Sequence, residues 1–184
     1  MHKVFISGSM RINHLDKNVL DRIDNIVASE YQVIIGDADG IDSSVQKYLN
    51  SKNSSLVIAY CSGKQPRNNA GNWVLKRVHT SATPGTRSFF TAKDKEMADD
   101  CDYGLMVWGT ESSGTLSNAI ELFKKKKISL VYVNKNKAFI NVKDIYDIEN
   151  LTGFMSETSF IKADKKLSLQ NTIESFINEQ NSSF

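Results

Sequence analysis

Apolar residues fall in short runs that alternate with segments of helical period, and the alternation carries through most of the chain. His2 to Ser7 centres on Val4, Phe5 and Ile6, Gln32 to Ile35 is almost wholly apolar, and Ser55 to Cys61 repeats the form. Tyr103 to Trp108 and Ser129 to Val133 are two further runs. Such short, unbroken runs mark strands buried on both faces, as in parallel sheets. Between them Val19, Leu20, Ile23, Ile26 and Val27 share one helical face. Ile41, Val45, Tyr48 and Leu49 share another, as do Phe90, Lys93/Asp94 and Met97/Ala98 within Arg87 to Asp100, and Leu116, Ile120 and Phe123. Asn13 is the expected N-cap of the first helix, with Asp16 in its first turn. The pattern predicts an α/β fold: a parallel sheet of about five strands, joined by right-handed crossovers, with helices on both faces.

Two stretches depart from the alternation. Residues 62–86 lack a clear period and hold both prolines, Pro66 and Pro84, together with Arg67, Trp73, Lys76 and Arg77. Long irregular segments in compact domains are commonly functional, so this one reads as a lid or a packed flap. Beyond Asn134, Ala138 to Val142 suits a further strand, Asp144 to Leu151 a short helix, and Leu169, Ile173, Phe176 and Ile177 one face of a terminal helix. The expected organisation is an α/β domain over residues 1–134 and a C-terminal helical extension over 135–184. The extension packs on the core or on a partner subunit, which admits a homo-oligomer.

Composition narrows the chemistry. A net charge of +2 argues against a nucleic-acid partner, because such binding rests largely on phosphate neutralisation. The Lys124–Lys127 run suits a helix end, where cations meet the negative pole of the dipole. Cys61 and Cys101 make no disulfide framework and have no neighbour at metal-ligand spacing. No apolar run is long enough to span a membrane, and the chain opens on a strand instead of a signal peptide, which together imply a cytoplasmic protein with no membrane partner.

The candidate chemistry lies in the loops that follow strands. Gly109 to Gly114 is small and polar and leads into a helix, so free N–H groups, the helix dipole and the hydroxyls of Ser112, Ser113 and Thr115 converge on an anion site. An ordinary turn capped by Ser or Thr is the plainer alternative. Gly8-Ser9-Met10-Arg11 follows the first strand, with Arg11 either a ligand contact or a surface charge. Gly36 to Asp42 follows the second. Its glycines permit a tight crossing beneath a ligand, Asp42 can bond a ribose or brace the Gly8 loop, and Asp39 can cap the helix; the spacing is not that of a calcium loop. If the first strand is central, with the second and third on one side and the fourth and fifth on the other, these loops meet at a switch point. The candidate ligand-binding residues are Gly8, Ser9, Met10, Arg11, Gly36, Asp37, Gly40, Asp42, Arg87, Trp108, Ser112, Ser113, Gly114, Thr115 and Asn118.

Gly8-Ser9, Gly36-x-x-x-Gly40-x-Asp42 and Ser113-Gly114-Thr115, each after a strand and in this order, resemble the SLOG superfamily of Rossmann-like domains. That superfamily includes the LOG phosphoribohydrolases and the YspA-like and DNA-processing protein A families; the second motif is most similar to the YspA-like branch. The resemblance spans roughly residues 1–134 and implies a nucleotide or nucleotide-derived ligand with its phosphate on the Ser112–Thr115 loop. LOG hydrolases carry Gly-Gly-x-Gly-Thr-x-x-Glu, whereas this chain has Ser for the second Gly and Asn118 in place of the Glu. Asn can bond a ribose hydroxyl but cannot act as a general base. Glu121 lies about one helical turn further on and is a poor substitute, and the same objection applies to the related nucleoside deoxyribosyltransferases.

The leading expectation is therefore a protein that binds or senses a nucleotide-type ligand and needs no cofactor or metal. The alternative is an N-glycosidic hydrolase or transferase acting on nucleoside monophosphates, with Asp37, Asp42, Asp94 or Glu111 replacing the missing Glu. A DNA-binding module ranks third, because of the near-neutral charge.

Overall fold

The apolar runs lie side by side in one sheet. In the computed structural model, which describes residues 1–182, the strands are β1 (Lys3–Gly8), β2 (Gln32–Ile35), β3 (Val57–Ser62), β4 (Val74–Val78), β5 (Tyr103–Trp108), β6 (Ser129–Val133) and β7 (Ala138–Val142). Their order is β4-β3-β2-β1-β5-β6-β7, parallel throughout except for the antiparallel β6–β7 pair. The helices are α1 (Lys17–Ala28), α2 (Ile41–Ser51), α3 (Arg87–Asp100), α4 (Ser113–Lys124), α5 (Ile145–Thr152), α6 (Glu157–Leu167) and α7 (Leu169–Ser182). Among these described residues no helix is long and apolar enough to cross a membrane.

Alternation along each strand divides the core in two. Val4, Ile6, Val33 and Ile35 face α1 and α2, packing against Val19, Ile23, Val45 and Leu49. Phe5, Ile34, Met106 and Trp108 face the other way, against Met97 of α3 and Leu116 and Leu122 of α4. Burial on both faces is why these strands read as unbroken apolar runs. Leu169 and Ile173 of α7 join the second core, and Phe176 meets Phe123 edge-on at 5.1 Å between centroids. Both cysteines are free and buried.

Seven strands replace the expected five. One of the additions, β4, lies inside the segment read as irregular. It is the sheet's edge: Val74 is 73% exposed, and Lys76 reaches Glu96 and Asp100. An edge strand tolerates charge and shows no apolar run. The other, β7, was legible as a strand; its antiparallel pairing follows from the tight connection after β6, where Lys137 takes a φ of +53°. Helix α6 had no counterpart in the sequence reading. The first helix is capped by Asp16, not Asn13: its carboxylate accepts the Asn18 N–H at 2.9 Å, and this bond, ahead of Tyr132 and Lys137, lowers its pKa to about 2.

Candidate functional site

The loops after β1 to β5 share one rim because these strands run parallel. The crossover from β1 leads to α1 on one face, and that from β5 leads to α4 on the other. A crevice opens where the two loops part. The loops are stitched at its base. The Ser9 N–H donates to Val107 O at 3.0 Å, and Ser9 Oγ accepts the Gly109 N–H at 2.7 Å and lies 3.4 Å from Thr115 Oγ1. Ser112 caps α4, its Oγ 3.4 Å from the Thr115 N and 3.0 Å from Thr115 Oγ1. Trp108 is fully buried, and its indole N–H donates to Ser112 O at 3.0 Å. Asn118, also buried, donates to Ser7 Oγ at 3.1 Å. Ser9, Trp108 and Thr115 thus hold the loops in place from below. Gly114 and Ser113 are nearer the solvent, and a Cβ added to Gly114 would meet nothing within 4 Å.

The β2–α2 loop crosses beneath the β1 loop. Ser9 O accepts both the Ile12 N–H (3.2 Å) and the Ile41 N–H (3.3 Å). Gly40 makes the crossing possible: its φ is +76°, and a Cβ there would sit 2.3 Å from Met10 O. Gly40→Ala should therefore cost at least about 1–3 kcal/mol, read as a lower urea midpoint at unchanged slope. A midpoint within error of the wild type would contradict this account. Gly8 is equally confined, its position facing Val107 O at 2.5 Å and Ile41 at 2.6 Å. Met10 and Arg11 project outward, and Arg11 reaches Glu111 across the crevice at 3.5 Å, with side chains 90% and 73% exposed.

A charged cluster lies under this rim. Asp37 is buried and clamped by Arg67, through its backbone N–H (2.9 Å), Nε (3.3 Å) and Nη2 (2.8 Å). Asn68 Nδ2 reaches Asp37 O and Asp39 Oδ1, and Gln46 ties Gly36 O, Asn68 O and the Ala70 N–H together. The first part of the irregular segment is thereby fastened to the β2–α2 loop. Asp42 Oδ2 accepts the Ala38 N–H at 3.3 Å, while its Oδ1 is sealed and unpartnered. Lys93 of α3, equally buried, donates to Asp94 Oδ1 at 2.6 Å and lies 4.0 Å from Asp37 Oδ1. Gly36 leaves room for both side chains, since a Cβ would stand 2.5 Å from Asp42 Oδ2 and 2.7 Å from Lys93 Nζ. Burial is the main cause that moves the Asp42 carboxyl up to about 7; Asp94 and Asp37 add to it, and Lys93 and the Ala38 N–H oppose it. Burial pulls the Lys93 ammonium down, but Asp94, Asp42 and Asp37 outweigh it and the net direction is up.

Three of the four carboxylates weighed as catalytic groups, Asp37, Asp42 and Asp94, thus meet around Lys93, and Glu111 stands apart. Asp37 is occupied by Arg67, Asp42 is sealed below the surface, Glu111 is out in solvent, and Asp94 lines a groove between α3 and α4. That groove, of about 190 Å³, is walled by Arg87, Thr91, Asp94 and Lys95 on one side and Gly114, Ser117, Asn118 and Glu121 on the other. A second depression of about 430 Å³ lies beside it, where α3 meets the loop from Val78 to Ala82, and shares Thr91 and Lys95 with the first.

Several residues here were missed as site components. Phe89 and Phe90 open α3 half-buried, in edge-to-face contact at 5.3 Å, with the Arg67 guanidinium 4.5 Å above the Phe90 ring. Phe89 abuts Gly63, whose φ of +84° turns the chain after β3. Lys64 follows Gly63, Arg77 Nε donates to Lys64 O at 2.9 Å, Arg87 (named among the sequence candidates) opens α3 and Lys95 lies further along it; all four are exposed, and among the described residues none pairs with a carboxylate. Lys93 did leave a signal: a lysine standing in the apolar stripe between Phe90 and Met97.

No family model and no curated protein matches the chain. Among solved structures it is similar to DNA processing protein A from Helicobacter pylori, described for its single-stranded DNA binding mode. The likeness has a TM-score of 0.57 at 19% identity and covers 97% of this chain and 81% of that one. It shows the fold. It also corrects two expectations, that nucleotide sensing leads the functional readings and that a nucleic-acid partner is disfavoured. The net charge behind the second expectation averages the whole surface. It sums pairs such as Lys3 with Asp100 and Lys125 with Asp99 together with exposed cations such as Arg87 and Lys124 that meet no carboxylate among the described residues.

Proposed function

We propose that this chain binds single-stranded nucleic acid along the rim at the carboxyl ends of its strands, as a SLOG-type domain allied to DNA processing protein A. The observation that carries the reading is the surface around the start of α3. There the Arg67 guanidinium lies 4.5 Å over the half-buried Phe90 ring, Lys64 follows the Gly63 turn that Phe89 abuts, and exposed Arg87, which pairs with no carboxylate among the described residues, shares a groove with the open N-terminus of α4 at Gly114. Cations that follow a backbone, aromatic faces for bases and a helix N-terminus for a phosphate are what an unpaired strand requires. The two adjoining depressions suit an extended ligand better than an isolated mononucleotide. Residues 1–134 supply this surface, and α5, α6 and α7 pack on the far side of α4.

Fluorescence anisotropy with a labelled oligothymidylate tests the reading. Binding is expected at low salt with a Kd on the order of 10⁻⁴–10⁻⁶ M, weakening steeply as salt rises. Arg87→Ala should weaken it and reduce the salt slope by about 0.7 for the lost phosphate contact. No anisotropy change across that concentration range would overturn the proposal.

A further inference from the structure

Two cations and three carboxylates meet under the rim, and the third carboxylate has no cation of its own. Arg67 is committed to Asp37 at 2.8 Å, and Lys93 to Asp94 at 2.6 Å with Asp37 Oδ1 at 4.0 Å. Among the described residues no cation comes within salt-bridge distance of Asp42. Its Oδ2 accepts the Ala38 N–H at 3.3 Å, and its Oδ1 is sealed from solvent with no hydrogen-bond partner. An ionised oxygen in that position has neither water nor a donor to hold its charge. With Asp42 ionised the cluster carries one uncancelled negative charge, and with Asp42 protonated it is neutral.

The other groups facing this carboxyl do not absorb that charge. Asp37 comes from its own loop, Lys93 and Asp94 from α3, and Arg67 from the segment between β3 and β4. Cys61 of β3 lies near Asp37, Lys93 and Arg67, and burial pushes its pKa up, which keeps the thiol neutral. Asp39 is exposed and accepts a hydrogen bond from Asn68 Nδ2. The cluster also reaches the surface. Arg67 carries its guanidinium from Asp37 to the face of the Phe90 ring, 4.5 Å away, with its side chain 31% exposed. Asp94 lines the α3–α4 groove that Arg87 shares. A charge on Asp42 is buried among these groups, where salt screens it little.

On the strand-binding reading, we propose that this binding is proton-linked, tight while the buried Asp42 carboxyl is neutral and weaker once it ionises. Asp42 touches no ligand; it sets the charge beneath the phosphates. A polyanion on the rim favours the neutral cluster, and by reciprocity a bound strand draws a proton onto Asp42. Burial, the main cause, sets this carboxyl at about 7. Affinity is therefore full below that value and falls as pH rises through it. At an effective dielectric of about 20–40, one charge about 10 Å from a phosphate changes affinity by roughly four- to fifteen-fold, and added salt moves the effect towards the lower figure.

The test measures the affinity of a labelled oligothymidylate of about ten nucleotides, without a terminal phosphate, by anisotropy between about pH 6 and about pH 8.5 at fixed salt. The wild type should lose roughly four-fold in affinity or more across that range. Asp42→Asn holds the cluster neutral and should keep the wild type's acid-side affinity throughout. Histidines titrate over the same range, and His14 and His79 are exposed. The comparison is therefore repeated with both replaced by glutamine, and the fall should persist. Calorimetry of that histidine variant in two buffers of unlike ionisation enthalpy reads the proton directly and does not depend on Asp42→Asn folding. Binding at about pH 7.5 should take up a fraction of a proton. A wild-type affinity independent of pH, or binding without proton uptake, would overturn the linkage and leave strand binding standing. A fall that survives Asp42→Asn, or vanishes with the histidines, would overturn it too, and binding at no pH would overturn both readings.

Discussion

Replacing Lys93 with methionine should lower the unfolding free energy by about 3–5 kcal/mol at neutral to mildly alkaline pH, the range for stripping one partner from a buried charge cluster. The lysine side chain is 4% exposed and serves Asp94 and Asp37 directly, with Asp42 against the same face of Gly36. Methionine nearly fills the volume, so the loss reports charge and not a cavity. Without the ammonium, Asp94 retains no cation within salt-bridge distance, and Asp37 depends on Arg67 alone. The deficit should shrink as pH falls and the carboxylates take up protons. Urea titrations at about pH 8 and about pH 5 measure both effects. A loss below about 1 kcal/mol at the higher pH would mean that the cluster is already neutral there without Lys93.

Asp42→Asn should act in the opposite sense. Burial, reinforced by Asp94 and Asp37, moves this carboxyl from 3.8 up to about 7. A raised folded-state pKa contributes stability that is fully present below the unfolded value and is lost as pH rises through the folded one. The wild type should therefore lose stability between about pH 4 and 7, by up to about 4 kcal/mol at roughly 1.4 kcal/mol per pH unit. Asparagine cannot ionise, keeps an oxygen for the Ala38 N–H, and places an amide where the unpartnered Oδ1 now lies. The variant should show a flatter profile and exceed the wild type above about pH 7, while Lys93 keeps Asp94 and Asp37. A variant less stable than the wild type at about pH 8 would show that the ionised form is worth more to Lys93 than it costs to bury.

These two residues mark a boundary in what the chain discloses. Both stood in view along the sequence, Asp42 in a Gly-rich loop and Lys93 within an apolar stripe. Neither position shows that the two meet, because they sit on elements separated by β3 and by the 62–86 segment that contains β4. Arg67 was suspected of forming a lid, yet it is clamped inward on Asp37 by a loop contact that no local pattern encodes. Trp108 and Thr115 were read as ligand contacts from their place beside the Gly/Ser loop. The structure uses them to hold that loop, through the Ser112 carbonyl and the Ser9 and Ser112 hydroxyls. Small polar residues next to a helix start look the same in sequence whether they face a ligand or the protein.

The sequence by itself determined the layered α/β plan and the apolar central strands, while the strand order that collects the loops on one rim came from the tertiary structure. Strands buried on both faces cannot avoid apolar runs, and a helix on a sheet cannot avoid a 3.6-residue stripe. It did not disclose β4, because an edge strand needs only one covered face and can carry Lys76 and Arg77. Nor did its total charge show where positive charge stands alone. Whether a lysine is cancelled or free depends on which carboxylate the fold brings within a few ångströms, and that distance exists only in the tertiary structure.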